Sequence, residues 1–372
     1  MKIRVSQESF ATVLSLAQSV LERKSTRPIL ENILLQAEEQ RVLVCATDLR
    51  VSLVQREPCA VDVPGSIAVP GRKLHEILRE MPRGNVDIAI MDNQWVAVTA
   101  GKSVFHLPGI AADEYPTFPT PPARFLRVDA PLFREMLDKT LFAASNDESR
   151  PYLCGVYAKA WTDDTSQALL RMVSTDGHRL ALIDRPVESP LDPFREGIII
   201  PKKGLTELKT VLDGVEKEFE LVSDQARVFA RIGSTELSVT LIEGTFPNYQ
   251  QVVPAESPNG LRLKRGEFLD ALRRVSLLSD QESRSVVLEA DGESVVLSSA
   301  DVRMGEAREE VQGVFSGPPL RIAFNAAYFV EALKAIGGDE VILSVHDPLS
   351  PCLLRSADDT RFLCVIMPMR VD

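Results

Sequence analysis

At 372 residues, with 45% hydrophobic and 26% charged side chains, the chain is long enough for two or three domains and too apolar for disorder. Its formal net charge of −11 argues against nucleic-acid binding through a broadly basic surface, because neutralising phosphates needs a basic footprint. No run approaches the roughly 18 apolar residues of a membrane helix, and Met1-Lys2-Ile3-Arg4-Val5 reads as a charged strand rather than a signal peptide. Five cysteines without CxxC spacing read as reduced thiols, so the expected location is the cytoplasm.

The first element is an amphipathic helix with an apolar stripe at Phe10, Val13, Leu14, Ala17, Val20 and Leu21. Alternating strands follow and reach an acidic turn at Ala46-Thr47-Asp48. A second helix then starts after Val69-Pro70-Gly71, with a stripe at Leu74, Ile77, Leu78 and Met81. A proline-dense linker, Pro116 to Pro122, ends the segment. The same order then repeats. A helix carries Phe133, Met136, Leu137, Thr140, Leu141 and Ala144, and strands run to Ser174-Thr175-Asp176. A helix after Ile200-Pro201 shows Leu205, Leu208, Val211 and Leu212, and Pro254 to Gly260 forms a second linker. The third round has Phe268, Leu272, Val275 and Leu278, then the turn Ser299-Ala300-Asp301. Its second helix carries Phe329, Ala332, Leu333 and Ile336, and strands follow at Val341 to Val345 and at the chain end.

Asp48, Asp176 and Asp301 stand 128 and 125 residues apart, and Leu74, Leu205 and Phe329 stand 131 and 124 apart. Two markers keeping one such period predict three whole domains of one fold. The expected class is α+β, each domain placing two helices on one face of largely antiparallel sheets. The expected limits are 1–120, 128–253 and 254–372.

Two places break the repetition. The middle turn runs through Asp176-Gly177 into His178-Arg179, where the other repeats carry Leu49-Arg50 and Val302-Arg303. A plain hairpin turn accounts for Asp-Gly; a site grafted onto one repeat accounts for the difference. The chain also ends on an apolar run, Phe362 to Val371. A buried last strand explains Phe362 to Ile366. Met367-Pro368-Met369 suits a pocket for varied apolar partners, because proline leaves the ladder and methionine adapts its shape. Ser174, Asp176 and His178 sit too close on one hairpin for a catalytic relay. The four histidines lack metal-binding spacing, and no phosphate loop occurs. No catalytic residue, metal or cofactor is expected.

Three segments, Thr175 to Leu180, Phe246-Pro247-Asn248-Tyr249 and Met367-Pro368-Met369-Arg370, together with the threefold repeat, make the chain resemble the bacterial β sliding clamps. Those clamps are processivity subunits of the replicative DNA polymerase. The resemblance covers the whole length. It implies a head-to-tail dimeric ring, helices lining the hole and sheets forming the wall, around duplex DNA without sequence specificity. It implies as partners the polymerase alpha subunit, the clamp loader, and other polymerases and repair proteins carrying a glutamine-led motif. The peptide pocket it implies is walled by Leu153, Thr175, Gly177, His178, Arg179, Leu180, Pro247 and Val252. The third domain would add Leu349, Pro351, Val365, Ile366, Met367, Pro368, Met369, Arg370 and Val371. Gln251, where an arginine is common, and Asp372, one residue beyond the usual end, depart from the pattern. DNA contacts would fall at Lys24, Arg150, Tyr152, Lys202 and Lys203. The ring seam would use Phe105, Leu107, Leu277 and Leu278, with Glu306, Glu309 and Glu310 facing Arg72, Lys73 or Lys102. A buried core role is the alternative for the apolar ones.

A peptide-binding scaffold unrelated to DNA is the competing reading.

Overall fold

The computed structural model describes residues 1–22, 26–188, 192–255, 257–280 and 282–370. The first repeat contains β1 (Lys2–Ser6), α1 (Gln7–Val20), β2 (Asn32–Glu38), β3 (Arg41–Thr47), β4 (Val51–Pro58), β5 (Ala60–Val63) and β6 (Gly65–Pro70). It continues with α2 (Gly71–Glu80), β7 (Asn85–Ile90), β8 (Val96–Ala100) and β9 (Ser103–Leu107). The second contains β10 (Leu126–Asp129), α3 (Ala130–Asp138), β11 (Gly155–Thr162), β12 (Ala168–Thr175) and β13 (Arg179–Pro186). Then come β14 (Ile198–Pro201), α4 (Lys202–Val211), β15 (Glu218–Ser223), β16 (Arg227–Ile232) and β17 (Thr235–Thr240). The third contains β18 (Gly260–Lys264), α5 (Arg265–Val275), β19 (Ser285–Asp291), β20 (Ser294–Asp301) and β21 (Gly305–Phe315). It ends with β22 (Leu320–Asn325), α6 (Ala326–Ala335), β23 (Glu340–Ser344), β24 (Cys352–Ser356) and β25 (Phe362–Ile366).

The α+β expectation holds, and the strand pairs between these elements are antiparallel. The apolar stripes are the buried helix faces: Phe10, Leu14 and Ala17 on α1, Leu74 and Leu78 on α2, Phe268 and Leu272 on α5. Aromatic edges lock the last pair, with the Phe268 and Phe329 rings at 5.9 Å and 77°. Two stripes run on into separate 3-10 turns beyond their helices. α3 stops at Asp138, and Leu141–Ala143 forms a separate 3-10 turn. Thr140 ends the helix, since its hydroxyl donates to the Met136 carbonyl and its own carbonyl accepts from Ser174 Oγ at 2.5 Å. α5 likewise gives way to a 3-10 turn at Ser276–Leu278, where Ser299 Oγ donates to Val275 O.

Contacts divide the chain into two units, and the division runs through the middle repeat. The first comprises Met1–Arg134 and Lys203–Leu241; the second comprises Glu135–Lys202 and Ile242–Asp372. In the first unit a sheet ordered β10-β15-β16-β17-β4-β3-β2-β6 carries strands of two repeats, joined where β17 pairs with β4. A second sheet there runs β5-β1-β7-β8-β9. In the second unit one sheet runs β14-β11-β12-β13-β25-β24-β23-β18-β21-β20-β19-β22, joined where β13 pairs with β25. Each unit therefore contains one joint between consecutive repeats.

All five cysteines are free, and burial pushes the Cys364 thiol to about 12, far from a reactive thiolate.

Candidate functional site

The three acidic turns share one construction. Asp48 Oδ1 accepts from the backbone N–H groups of Arg50 and Val51, Asp176 Oδ1 from those of His178 and Arg179, and Asp301 Oδ1 from those of Arg303 and Met304. The residue after each aspartate differs. Gly177 adopts φ +92, and a β-carbon there would stand 3.2 Å from an Arg150 guanidinium nitrogen. Leu49 holds the same left-handed region at φ +75 without glycine's freedom.

Beyond Gly177 the middle turn is fastened on several sides. Arg179 Nε donates to Asp176 Oδ2 at 3.0 Å, one Nη donates to Glu331, and the other reaches Phe142 O at 2.7 Å. Its guanidinium lies 4.7 Å from the Tyr328 ring centroid, and His178 stacks on the same ring at 14°. Met367 N donates to His178 O at 2.9 Å, so the chain end is tied to the turn. Met369 N donates to Ala323 O at 2.7 Å, fixing the tail against β22.

These ties place an apolar floor beneath the turn and tail. Val173, Leu180, Leu182, Phe246, Leu353 and Val365 form one buried cluster. Tyr157 stacks on Phe246 at 5.1 Å. Val252 and Leu349 stay 44% and 72% exposed, and Pro247 is exposed too. Thr175, Pro351, Met367, Pro368 and Met369 are half-buried, while Gly177, His178 and Arg370 reach solvent. Apolar surface left open above a built floor invites an apolar ligand. Ile366, by contrast, is fully buried and alternates away from Val365, so it serves the core facing the helices. Leu153 is buried in the 3-10 turn Pro151–Leu153. Val371 lies outside the described residues.

A charged network flanks this floor. Arg171 makes two hydrogen bonds to Asp184, at 2.8 and 2.6 Å, and one to the Tyr249 hydroxyl. Arg185 reaches Glu135 and Asp359, and Lys139 reaches Asp359 at 2.9 Å. Burial disfavours the Asp359 carboxylate, yet hydrogen bonds from Arg185 and Lys139 outweigh it and hold the group down to about 2. The network ties β13 to the turn before β25. Arg171 and Asp184 face each other across the β12–β13 hairpin, whereas the pairs with Tyr249, Glu135 and Asp359 join residues distant along the chain and had no marker in the sequence.

The expected DNA contacts fall in different settings. Arg150 pairs with Asp147 at 3.2 Å, and Tyr152 is exposed. Lys202 Nζ donates to Ala144 O and Asn146 Oδ1, and burial, then the neighbouring Arg179, lowers its pKa. Arg150 and Lys202 line one cavity with Asp147, Asp176, His178 and Arg179. Lys203 is engaged elsewhere: its ammonium pairs with buried Asp48 and donates to Val20 O, helping to close the first joint. Lys24 lies outside the described residues.

The expected seam residues lie on β9, on α2, in the 3-10 turn Ser276–Leu278 and on β21. β9 is an edge strand with Phe105 exposed and Leu107 buried. Leu277 is 75% exposed and Leu278 half-buried. Glu306 and Glu310 are exposed, whereas Glu309 already accepts from Arg274, which holds its carboxyl below the usual range. Arg72 donates to Leu21 O at 2.7 Å, and Lys73 pairs with Glu76. Among the described residues no group of three or more His, Cys, Asp or Glu could hold a metal ion. None of the described helices is long and apolar enough to cross a membrane.

Comparison with known proteins bears on the whole chain. Residues 1–119 match the N-terminal domain of the DNA polymerase III beta subunit, 127–248 its central domain and 250–370 its C-terminal domain. The beta sliding clamp of Caulobacter vibrioides is 33% identical over 375 residues, covering 100% of both chains; that of Pseudomonas aeruginosa is 32% identical over the same span. Among solved structures, the Caulobacter crescentus beta sliding clamp superposes with a TM-score of 0.94 at 33% identity, over 100% of this chain and 99% of that one. The sliding clamp of Bartonella birtlesii, solved bound to griselimycin, gives 0.95 at 31% identity over 100% of both chains.

Proposed function

The chain belongs to the DNA polymerase III beta subunit family, and from that premise we propose how its geometry serves a sliding clamp. As a member of that family it is a non-catalytic accessory subunit of DNA replication. Its three clamp domains, with limits at 1–120, 128–253 and 254–372, form half of a ring that a second copy completes head to tail. The ring surrounds duplex DNA in the cytoplasm and keeps the polymerase near the primer end. A tether works by raising effective concentration, so no tight DNA contact is needed, and the net charge of −11 is no obstacle. Arg150, Tyr152, Lys202 and Lys24 touch phosphates without reading sequence. Asp147 offsets the charge of Arg150, and the neutral acceptors on Lys202 occupy two of its N–H donors, which favours sliding over gripping.

The groove over Leu180 and Val365 receives the partner peptide. Its leucine and aromatic side chains enter between Val252, Leu349 and Met367, each burial contributing about 1.5–3 kcal/mol. His178 and Arg370 stand at the rim, available to the peptide's polar groups. The polymerase alpha subunit, the clamp loader, and other polymerases and repair proteins with a glutamine-led motif share this groove. Gln251 and Asp372 tune their ranking.

The observation that carries the reading is the convergence of the Asp176 turn and the Met367–Arg370 tail on one apolar floor inside one compact unit. The ring is tested by loading the protein onto nicked circular DNA. Retention is expected on the circle and release on linearisation; equal retention on both forms contradicts encirclement and favours a peptide scaffold that merely sticks to DNA.

A further inference from the structure

The joints inside the two units follow one register. In the first, Ser52 stands opposite Ser238 and Leu53 opposite Leu237. In the second, Leu180 stands opposite Val365 and Ala181 opposite Cys364. Each joint sets the strand after an acidic turn (β4 or β13) against the last strand of the next repeat (β17 or β25). The remaining copies of these two kinds of strand are β21 and β9. β21 pairs with β20 along Ser294–Asp301, and its other edge meets β18 only at Gly313–Phe315. Among the described residues, no strand lies along that edge over 306–312. β9 pairs with β8 alone.

The matching positions can be counted. β9 leaves β8 through the two-residue turn Gly101-Lys102, as β17 leaves β16 through Gly233-Ser234, so Ser103 matches Thr235 and His106 matches Ser238. The turn into β21 is one residue longer than its counterparts: Ala300 faces Glu306, where Thr47 faces Ser52 and Thr175 faces Leu180. Glu306 therefore takes the place of Ser52 and Leu180.

We infer that a second copy of this chain lays its β9 on the open edge of β21 in this same register, setting His106 opposite Glu306, and that this pair is a proton-dependent latch on the ring. The inference rests on the head-to-tail ring proposed above. The register also sets Phe105 opposite Ala307, at the position where Leu53, Leu237, Ala181 and Cys364 are buried in the two internal joints. Phe105 is 41% exposed in the single chain, so the pairing would cover it. Neither internal joint can titrate at the latch position, which holds two serines in one and Leu180 with Val365 in the other. Only the joint between copies, the one a ring on circular DNA must open, carries an imidazole against a carboxylate.

The surroundings favour Glu306 as the group that decides. From β8 the imidazole faces Ala97, with Thr99 one pair along, neither titratable. Lys102 sits in the turn before β9. From β21 come Glu306 directly, Arg308 one pair along on the same face, and Glu310 beyond it; the turn before β21 brings Asp301 and Arg303. Directly opposite side chains interact most strongly in an antiparallel pair, so the attraction to Glu306 exceeds the diagonal repulsion from Arg308. An imidazolium facing a carboxylate holds its proton more tightly than a free one. Dimerisation then takes up protons and weakens as pH rises through the imidazole range.

Sedimentation equilibrium of the full chain from pH 6 to pH 8 tests this. With two seams per ring, the dimer is expected to dissociate about five- to tenfold more readily at pH 8. His106→Gln should flatten that dependence, and undiminished dependence in this variant overturns the latch. His106→Glu should weaken the dimer throughout the range. Adding Glu306→Lys should restore it, and adding Glu310→Lys should not; equal rescue by both overturns the register. A chain that stays monomeric at every pH contradicts the ring itself rather than the pairing within it.

Discussion

The two joints inside this chain are built alike and do different work. At the first, β4 meets β17, and the turn aspartate Asp48 is sealed by Lys203. Gln55 bonds Thr235 and Ser234, and Glu236 takes up Arg56 and Arg231. At the second, β13 meets β25 in the same sense, but the turn continues as Gly177-His178-Arg179 and the partner strand continues as Met367-Pro368-Met369. Leu49 fills the first turn with an apolar side chain in a strained conformation. Gly177 leaves the second turn open over an apolar floor. A joint needs only paired edges and closed charges; a docking site needs the same joint with its cover removed.

Removing the charges that fasten the second joint should have the largest effect. Arg185→Ala removes one of the two cations that Glu135 and Asp359 share, leaving Lys139 alone between them. It should lower stability by about 2 kcal/mol in denaturant unfolding, less than for a fully buried pair because Glu135 remains in reach of water. A loss confined to about 0.5 kcal/mol or less would make this network ornamental. The same residues set an acid limb. The Asp359 pKa is depressed when folded, so its contribution is present above the ordinary carboxylate pKa of about 3.9 and lost as pH falls towards about 2. Unfolding followed across that window should steepen in the parent chain, and Asp359→Asn should lose that steepening.

Next in size is the turn itself. Gly177→Ala forces a side chain into φ +92 beside Arg150 and should cost about 1–2 kcal/mol, with peptide binding falling further than stability alone explains. Leu49→Gly should act in the opposite sense. Relief of its left-handed strain is expected to offset glycine's extra chain entropy, for a change of about 0.5 kcal/mol or less in thermal unfolding. Equal and parallel effects at both turns would show that the two joints do not differ as described.

Much of this was legible in the sequence, for particular reasons. The stripes Phe10 to Val20 and Leu74 to Leu78 mark helices because burial on one side must recur with the helical turn. The three aspartates mark hairpins because their carboxylates cap the turns locally. The exceptions His178 and Met367 were visible as departures from the repeat. Less visible was the way repeats share sheets, since the partners β4 and β17, or β13 and β25, lie far apart in the chain and either edge alone looks like any strand. Tyr328 and Glu331 read as ordinary positions on and beside a helical stripe, yet they hold His178 and Arg179. The pairing of Lys203 with buried Asp48, which closes a joint, has no marker in the sequence because the two residues lie in different repeats. The α3 stripe ran on through Thr140 because periodicity does not register a hydroxyl that turns back on its own helix.

One set of joints makes the ring, and an opening in one of them makes the docking site. Deleting residues 367–372 and measuring peptide binding and oligomeric state on the same sample separates the two roles. Binding of a glutamine-led peptide should fall at least about a hundredfold while the dimer persists, because β25, the edge strand β9 and the unpaired stretch of β21 remain. A deleted chain that still binds the peptide with parent affinity, or one that becomes monomeric, would contradict the division.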